Sequence, residues 1–367
     1  MNLKLRPQLL EIDKVSYASD HIDLPENGVD CGEGCTPYGF PSEVTEAAKR
    51  FDWMRVGPYP HSTAIYDGLT EFWKGYFSLK PENLIITDGS ISAIYTVVNS
   101  FTQPGAKIIG VAPQFTDFEM AVQMNGMYYQ PVVLKRENAF VIDPQEIIAA
   151  MDPETSLVYI DNPNNPTGQV IDIDSIRMIL DKALLCGTAV VIDEAYGDFM
   201  PKKNSAVNLV ESYENLIVLR TLSKAFGLAG LRIGYIITNE QLIAAMNKLT
   251  NPYQVSELAR ELGGVALKNA YQIPVVSEDF AKMKREIIST IGSKLHIAQT
   301  CDTVSIFLLQ HEDETIDLRQ LFYDKGVLCV SGSDFRNLNQ SYVRIRLPRI
   351  DEFPILLNAI REINAGI

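Results

Sequence analysis

Short apolar runs alternate with amphipathic stretches through the middle of the chain. Leu84–Thr87, Lys107–Val111 and runs near 128–134, 156–160, 189–193 and 216–220 read as strands. Between them, Ile91–Phe101 and residues 116–125, 144–151 and 172–186 repeat apolar positions every three to four residues, the period of a helix. Thr188–Ile192 does not alternate in polarity, which is the pattern of a central parallel strand covered on both sides. Upstream, Ser42 to about Phe51 reads as a short helix capped by Ser42, and residues 63–77 place Ile65, Leu69, Phe72, Trp73 and Phe77 on one helical face. Val56-Gly-Pro-Tyr-Pro60 between these two helices is a rigid extended turn that presents Tyr59. Residues 239–249 and 254–269 read as helices, followed by a helix over 274–292 and hairpin-like strands at 303–309, 326–330 and 342–347.

Strands separated by helices over so long a stretch predict an α/β fold: a large domain with a mostly parallel sheet covered by helices on both faces, plus a smaller α+β domain. The expected division is an N-terminal arm over 1–45 that joins the small domain, a large domain over 46–270 and a small domain over 271–367. Pro25, Gly28, Gly32, Gly34, Pro37, Gly39 and Pro41 punctuate the arm.

Composition narrows the class. Of 367 residues, 46% are hydrophobic and 21% charged, ordinary for a globular enzyme. No apolar run reaches the roughly 18 residues a membrane helix needs, and the first residues lack a signal-peptide apolar core. Five widely spread cysteines make no disulfide framework, so a cytoplasmic location is expected. Cys31 and Cys35 have no second pair or histidine cluster nearby, so no metal site is expected. Net charge is 32 − 46 = −14, which repels phosphate backbones and argues against nucleic-acid and anionic-membrane partners.

Polar signals gather at the carboxyl ends of the strands, where ligands bind in open α/β sheets. Thr87-Asp-Gly-Ser-Ile-Ser92 carries a strand through Gly89-Ser90 into a helix, either a phosphate cup of backbone N–H groups or an ordinary turn. Phe115 ends the next strand, either as a stacking ring or as a core residue. Asp161-Asn-Pro-Asn-Asn-Pro-Thr-Gly168 is a rigid turn rich in side-chain amides. Asp193 ends an apolar strand, with Tyr196 three residues on; a carboxylate buried there needs a cation. In Leu219–Tyr235, Lys224 stands among Thr221, Ser223, three glycines and Arg232. A lysine pocketed in this way becomes a nucleophile on losing its proton. An aldehyde-binding lysine, a carboxylate for a ring nitrogen, a phenol, an amide, a stacking ring and a phosphate cup together describe a pyridoxal 5′-phosphate site.

These motifs identify a resemblance to the fold-type I pyridoxal-phosphate-dependent aminotransferases, and among them to the histidinol-phosphate aminotransferase subgroup. It is carried by Asn162–Gly168, Asp193-Glu-Ala-Tyr196, Arg220–Tyr235 and Asn251-Pro-Tyr-Gln-Val-Ser256, and it spans nearly the whole chain. The resemblance implies that Lys224 bonds the cofactor aldehyde and later moves the proton, and that Asp193 pairs with the ring nitrogen. It assigns Asn165 and Tyr196 to the ring oxygen, Phe115 to the ring face, and Gly89, Ser90, Ile91, Thr221, Ser223 and Arg232 to the phosphate. Tyr59 would reach the phosphate in a neighbouring subunit, which implies a homodimer with shared active sites. Arg344, one of two arginines on the same face of the strand Tyr342–Leu347, would anchor a substrate carboxylate; Arg346 reads as an exposed strand face. The implied reaction moves an amino group from an amino donor to a 2-oxo acid, with decarboxylation of the threonine-phosphate decarboxylase type as the alternative. A regulator that senses the cofactor would need a DNA-binding module, and the chain is fully used by the catalytic fold. Two elements depart from the subgroup: Gly34-Cys-Thr-Pro37 stands where Asn-Glu-Asn-Pro is usual, and Val330-Ser331 stands where an arginine is common, with Arg336 as its expected substitute.

Overall fold

The described strands are, in chain order, β1 (Val29–Asp30), β2 (Leu84–Thr87), β3 (Lys107–Ala112), β4 (Tyr128–Val133), β5 (Thr155–Asp161), β6 (Ala189–Asp193), β7 (Leu216–Thr221) and β8 (Gly234–Ile237), followed by β9 (Leu295–Ile297), β10 (Ile306–His311), β11 (Val327–Leu328), β12 (Val330–Ser331) and β13 (Tyr342–Arg346). This computed structural model describes residues 4–13, 23–103 and 105–366; the arm expected over 1–45 falls outside it at 1–3 and 14–22. β2 to β8 form a seven-stranded sheet in the order β2-β8-β7-β6-β5-β3-β4. Parallel pairing links β4, β3, β5, β6 and β7, whereas β8 runs antiparallel to both β7 and β2.

The unbroken apolar character of β6 and β7 follows from their place in this sheet. Val190, Ile192 and Val218 face one core with Ile65, Leu69 and Trp73 of the helix Ala64–Trp73 and Ile176, Ile179 and Leu180 of the helix Ile173–Cys186. Val191, Ile217 and Leu219 face the other, with Ile94 and Val97 of the helix Ser90–Ser100 and Phe118 and Val122 of the helix Thr116–Met124. Successive side chains point to opposite faces, so a strand covered by helices on both sides has no polar position to spare.

The remaining strands form an antiparallel sheet, β12-β13-β10-β9, while β1 of the arm pairs in parallel with β11. The hairpin reading of this region is corrected: β10 pairs with β13 across the helix Leu318–Asp324 and two intervening short strands. The run 326–330 divides between two sheets, β11 with the arm and β12 with β13. β8, β9 and the helix Phe353–Ala365 are additions to the pattern read from sequence. Ser42 is the first residue of its helix rather than the cap, a place taken by Pro41.

Two helices meet at glycines. A Cβ on Gly68 would lie 2.9 Å from the Gly264 carbonyl, and one on Gly264 would press into the Ala64 carbonyl, so the helices Ala64–Trp73 and Glu257–Lys268 touch backbone to backbone. The second helix begins with Glu257, which accepts from the N–H groups of His61 and Ser62 at 2.9 Å each and so fixes the loop that carries Tyr59. Gly264→Ala is expected to destabilise the protein by about 1–3 kcal/mol, the usual penalty of overpacking. Urea denaturation reads this, and an unchanged midpoint would show that the helices part freely.

Candidate active site

Parallel pairing sets Asp161 of β5 beside Asp193 of β6, both buried at the carboxyl end of the sheet. The Asp161 carboxylate accepts from Asn165 N (2.9 Å), Phe115 N (3.2 Å) and Asn164 Nδ2 (2.8 Å), and thereby fixes the Asn-Pro turn and the loop after β3. Burial pushes its carboxyl up to about 7, against the pull of those hydrogen bonds. Asp193 accepts from Tyr159 Oη at 2.7 Å and from Ala195 N at 2.9 Å. Burial lifts it to about 6, with the Tyr159 hydrogen bond, the Ala195 N–H and the charge of Lys224 opposing.

Lys224 follows β7 in a turn tied by hydroxyls: Thr221 Oγ1 donates to the Ile233 carbonyl at 2.9 Å, and Ser223 Oγ lies 2.9 Å away. Its Nζ stands 5.3 Å from the centre of the Tyr196 ring. Tyr196 is buried, and its hydroxyl has no hydrogen-bond partner among the described residues. An unpaired buried phenol is costly, and it fits a site that receives an acceptor from a ligand. Gly34 of the arm closes this corner: a Cβ there would lie 2.9 Å from Lys224 Nζ and collide with Tyr196 Oη.

At the other edge, Gly89 precedes the helix Ser90–Ser100 with φ +90°, a conformation other residues rarely adopt. A Cβ on Gly89 would lie 3.0 Å from Arg232 Cζ, so the guanidinium sits directly against the helix start. Thr87, Gly234 and Thr221 lie across from one another in register on β2, β8 and β7. The helix start at Gly89–Ser90 and Arg232 thus meet beside the strand end that carries Thr221. Phe115 is half-buried against the core of the neighbouring helices, with its N–H held by Asp161.

Arg344 on β13 is buried and donates to Asn165 Oδ1 (3.3 Å) and to the Gly32 carbonyl, joining the small sheet, the Asn-Pro turn and the arm. The exposed-face reading of Arg346 is corrected: it is buried as well, and it donates to backbone carbonyls of the arm. Arg336, the expected substitute for the missing arginine, is engaged by the Glu119 carboxylate. Tyr59 stands apart from the cluster within one chain, 70% exposed and stacked on Tyr253 at 4.7 Å.

Sequence reasoning passed over the layer behind the site. Arg220, buried in β7, donates to Glu194 (2.5 Å) and to Asp198, while Glu194 also accepts from Ser205 Oγ and Ala206 N at 2.6 Å each. Burial pushes the two carboxyls up and the charge of Arg220 opposes it. It clamps both sides of Tyr196. The only signal in the sequence was an arginine in an otherwise apolar strand.

Folded, cofactor-free protein holds a proton on Asp193 up to about pH 6, against an ordinary value of 3.8. More protons are bound folded than unfolded in that window, so this contribution is full below the ordinary value and is lost as pH rises through about 6. Cofactor-free Asp193→Asn is therefore expected to lose less stability than wild type between about pH 4 and pH 7, by up to about 3 kcal/mol. Parallel stability–pH curves for the two proteins in urea titrations would contradict this.

The profile of the family described as aminotransferase class I and II matches residues 26–360. A histidinol-phosphate aminotransferase of Caldanaerobacter subterraneus subsp. tengcongensis is 30% identical over 333 residues, covering 89% of this chain and 91% of its own. A putative threonine-phosphate decarboxylase of the same organism is also 30% identical over 330 residues, covering 89% of this chain and 87% of its own. The crystal structure of the histidinol-phosphate aminotransferase from Clostridium acetobutylicum shares the fold with a TM-score of 0.80 at 22% identity, covering 92% of this chain and 100% of that one. With the family profile spanning both sheets and the site between them, the chain belongs to the class I and II aminotransferases.

Proposed function

We propose that Lys224, Asp193, Tyr196 and Asn165 form the cofactor site of this pyridoxal 5′-phosphate-dependent aminotransferase. The observation that carries the reading is the buried Tyr196 hydroxyl, without a partner among the described residues and beside Lys224. Bound there, the cofactor supplies an aldehyde for the amino group and a ring that accepts the charge left when a bond at the substrate Cα breaks. Asp193 would keep the ring nitrogen protonated, Tyr196 Oη and Asn165 would bind the ring oxygen, and Phe115 would supply a ring for stacking. Gly89, Ser90, Ile91, Thr221, Ser223 and Arg232 hold the phosphate. Lys224 Nζ would take the proton from the substrate Cα and pass it to the carbon that had carried the aldehyde. Arg344 anchors a carboxylate through its planar fork.

The substrates on this reading are a small amino donor and a 2-oxo acid acceptor. Residues 1–45, 46–270 and 271–367 divide the chain into arm, large domain and small domain. Exposed Trp53, Met54, Val56 and Tyr59, with Tyr253 beside them, support a homodimer in which Tyr59 reaches the partner's phosphate corner. Five free cysteines, and no helix among the described residues long and apolar enough to cross a membrane, support a cytoplasmic enzyme. Decarboxylation is the second reading, favoured by the decarboxylase relative at equal identity.

Lys224→Ala is expected to abolish the covalent retention of the cofactor that borohydride reduction followed by denaturation reveals in the wild type, and to lower turnover by about 10²–10⁴-fold or more. A variant that kept both would overturn the assignment. Screening amino donors, histidinol phosphate included, against 2-oxoglutarate separates the two reactions: a new 2-oxo acid or ketone supports transamination, and released CO₂ supports decarboxylation.

A further inference from the structure

Arg346 is 4% exposed, and its side chain is spent on main-chain carbonyls. Nε donates to Glu33 O at 2.9 Å, Nη1 to Leu347 O at 3.1 Å, and Nη2 to Asp30 O, with the Asp30 carboxylate 3.8 Å away. The Arg346 N–H donates to Cys31 O at 2.8 Å. Two residues earlier on the same strand face, Arg344 holds Gly32 O. The carbonyls of Asp30, Cys31, Gly32 and Glu33 are thus all bound by groups of β13. Burying a guanidinium costs a great deal of solvation, and a fork that meets carbonyls at fixed positions returns it as geometry.

What this geometry holds is the segment Asp30–Thr36. At its far end Thr36 N donates to Lys224 O at 2.9 Å, and between the two anchors Gly34 sits against Lys224 Nζ and Tyr196 Oη. We infer that Arg346 is a positioning residue: it pins this strap over the reacting lysine and so sets how closely an amino donor is enclosed there. Arg344 cannot do this alone, because its fork is shared with Asn165.

Cys35, partly buried on the strap, reports its position without reference to the cofactor. In Arg346→Gln holoenzyme, alkylation of Cys35 by iodoacetamide, followed by peptide mass spectrometry, is expected to accelerate about tenfold through loss of charge-assisted hydrogen bonds. Cys186, on a distant helix, keeps its wild-type rate. KM for the amino donor rises about tenfold with kcat little changed, and Arg346→Lys, which keeps the charge but loses the fork, falls between the two. Unchanged Cys35 labelling and KM would overturn the proposal. So would equal acceleration at all five cysteines, which would make Arg346 a general fold residue. The kinetic arm rests on Lys224 as the reacting lysine. Faster Cys35 labelling in a protein without transaminase activity would leave the strap standing and refute that reading instead.

Discussion

Parallel pairing of β5 and β6 forces two carboxylates, Asp161 and Asp193, to the same buried end of the sheet. Like charges in a medium of low polarity raise one another's proton affinity, and burial raises it further. The chain resolves the two differently. Asp161 is surrounded by donors from two loops and becomes the hub that shapes them, so its oxygens are used for structure. Asp193 receives one phenol and one N–H, with the charge of Lys224 as further compensation; on the proposed reading a cationic ring nitrogen would supply the rest. The phosphate corner, the Asn-Pro turn and the lysine turn all lie at strand ends because that is where a parallel sheet leaves its loops together.

A second constraint comes from the small sheet. Lys284 is fully buried and donates to Thr300 Oγ1 and to the carbonyls of Cys301, Val304 and Ile306 at 2.7–3.1 Å. That segment meets the Asn-Pro turn where Cys301 N donates to Gly168 O at 2.9 Å, and Gly168 has no room for a side chain against Ile306 O. The ammonium therefore fixes the edge of the small sheet against the turn that carries Asn165. Arg344 adds a second link between the same parts. Both contacts use a cation to collect backbone oxygens, the natural solution where irregular loops meet away from water.

Elements whose evidence lies within a few residues were legible in the sequence. β6 and β7 show as apolar runs, Asp193 ends a strand, and Gly89-Ser90 and Lys224 come within a few residues after one. β8 was hidden because Gly234–Ile237 closes a glycine-rich motif, and because its antiparallel direction depends on partners distant in sequence. The pairing of β10 with β13 is likewise set by contacts across a helix, which local periodicity does not encode. Arg346 was misread and Arg220 passed over for a shared reason. A charged residue in a strand reads as exposed unless its partners are known, and those partners, Asp198 and the arm carbonyls, belong to other segments.

The same distinction separates the chemistry from the choice of substrate. The lysine, the carboxylate and the phenol lie within thirty-odd residues on adjacent strands, so one stretch of sequence encodes how a bond at Cα is activated. Which bond is activated depends on how the substrate is turned, and its orientation is fixed by whatever grips its other groups. On the proposed reading that grip is Arg344 on β13, itself oriented by Asn165 after β5 and by the strap from the arm, three segments far apart in sequence. Because Gly32 O and Asn165 Oδ1 together orient the Arg344 fork, a change at the Gly32 end of the strap would, on that reading, alter where a carboxylate docks. Relatives bearing the names of a transaminase and a decarboxylase match this chain at the same 30% identity. That is the outcome expected when the activating residues are shared and the difference resides in loops that reach the site from outside the sheet.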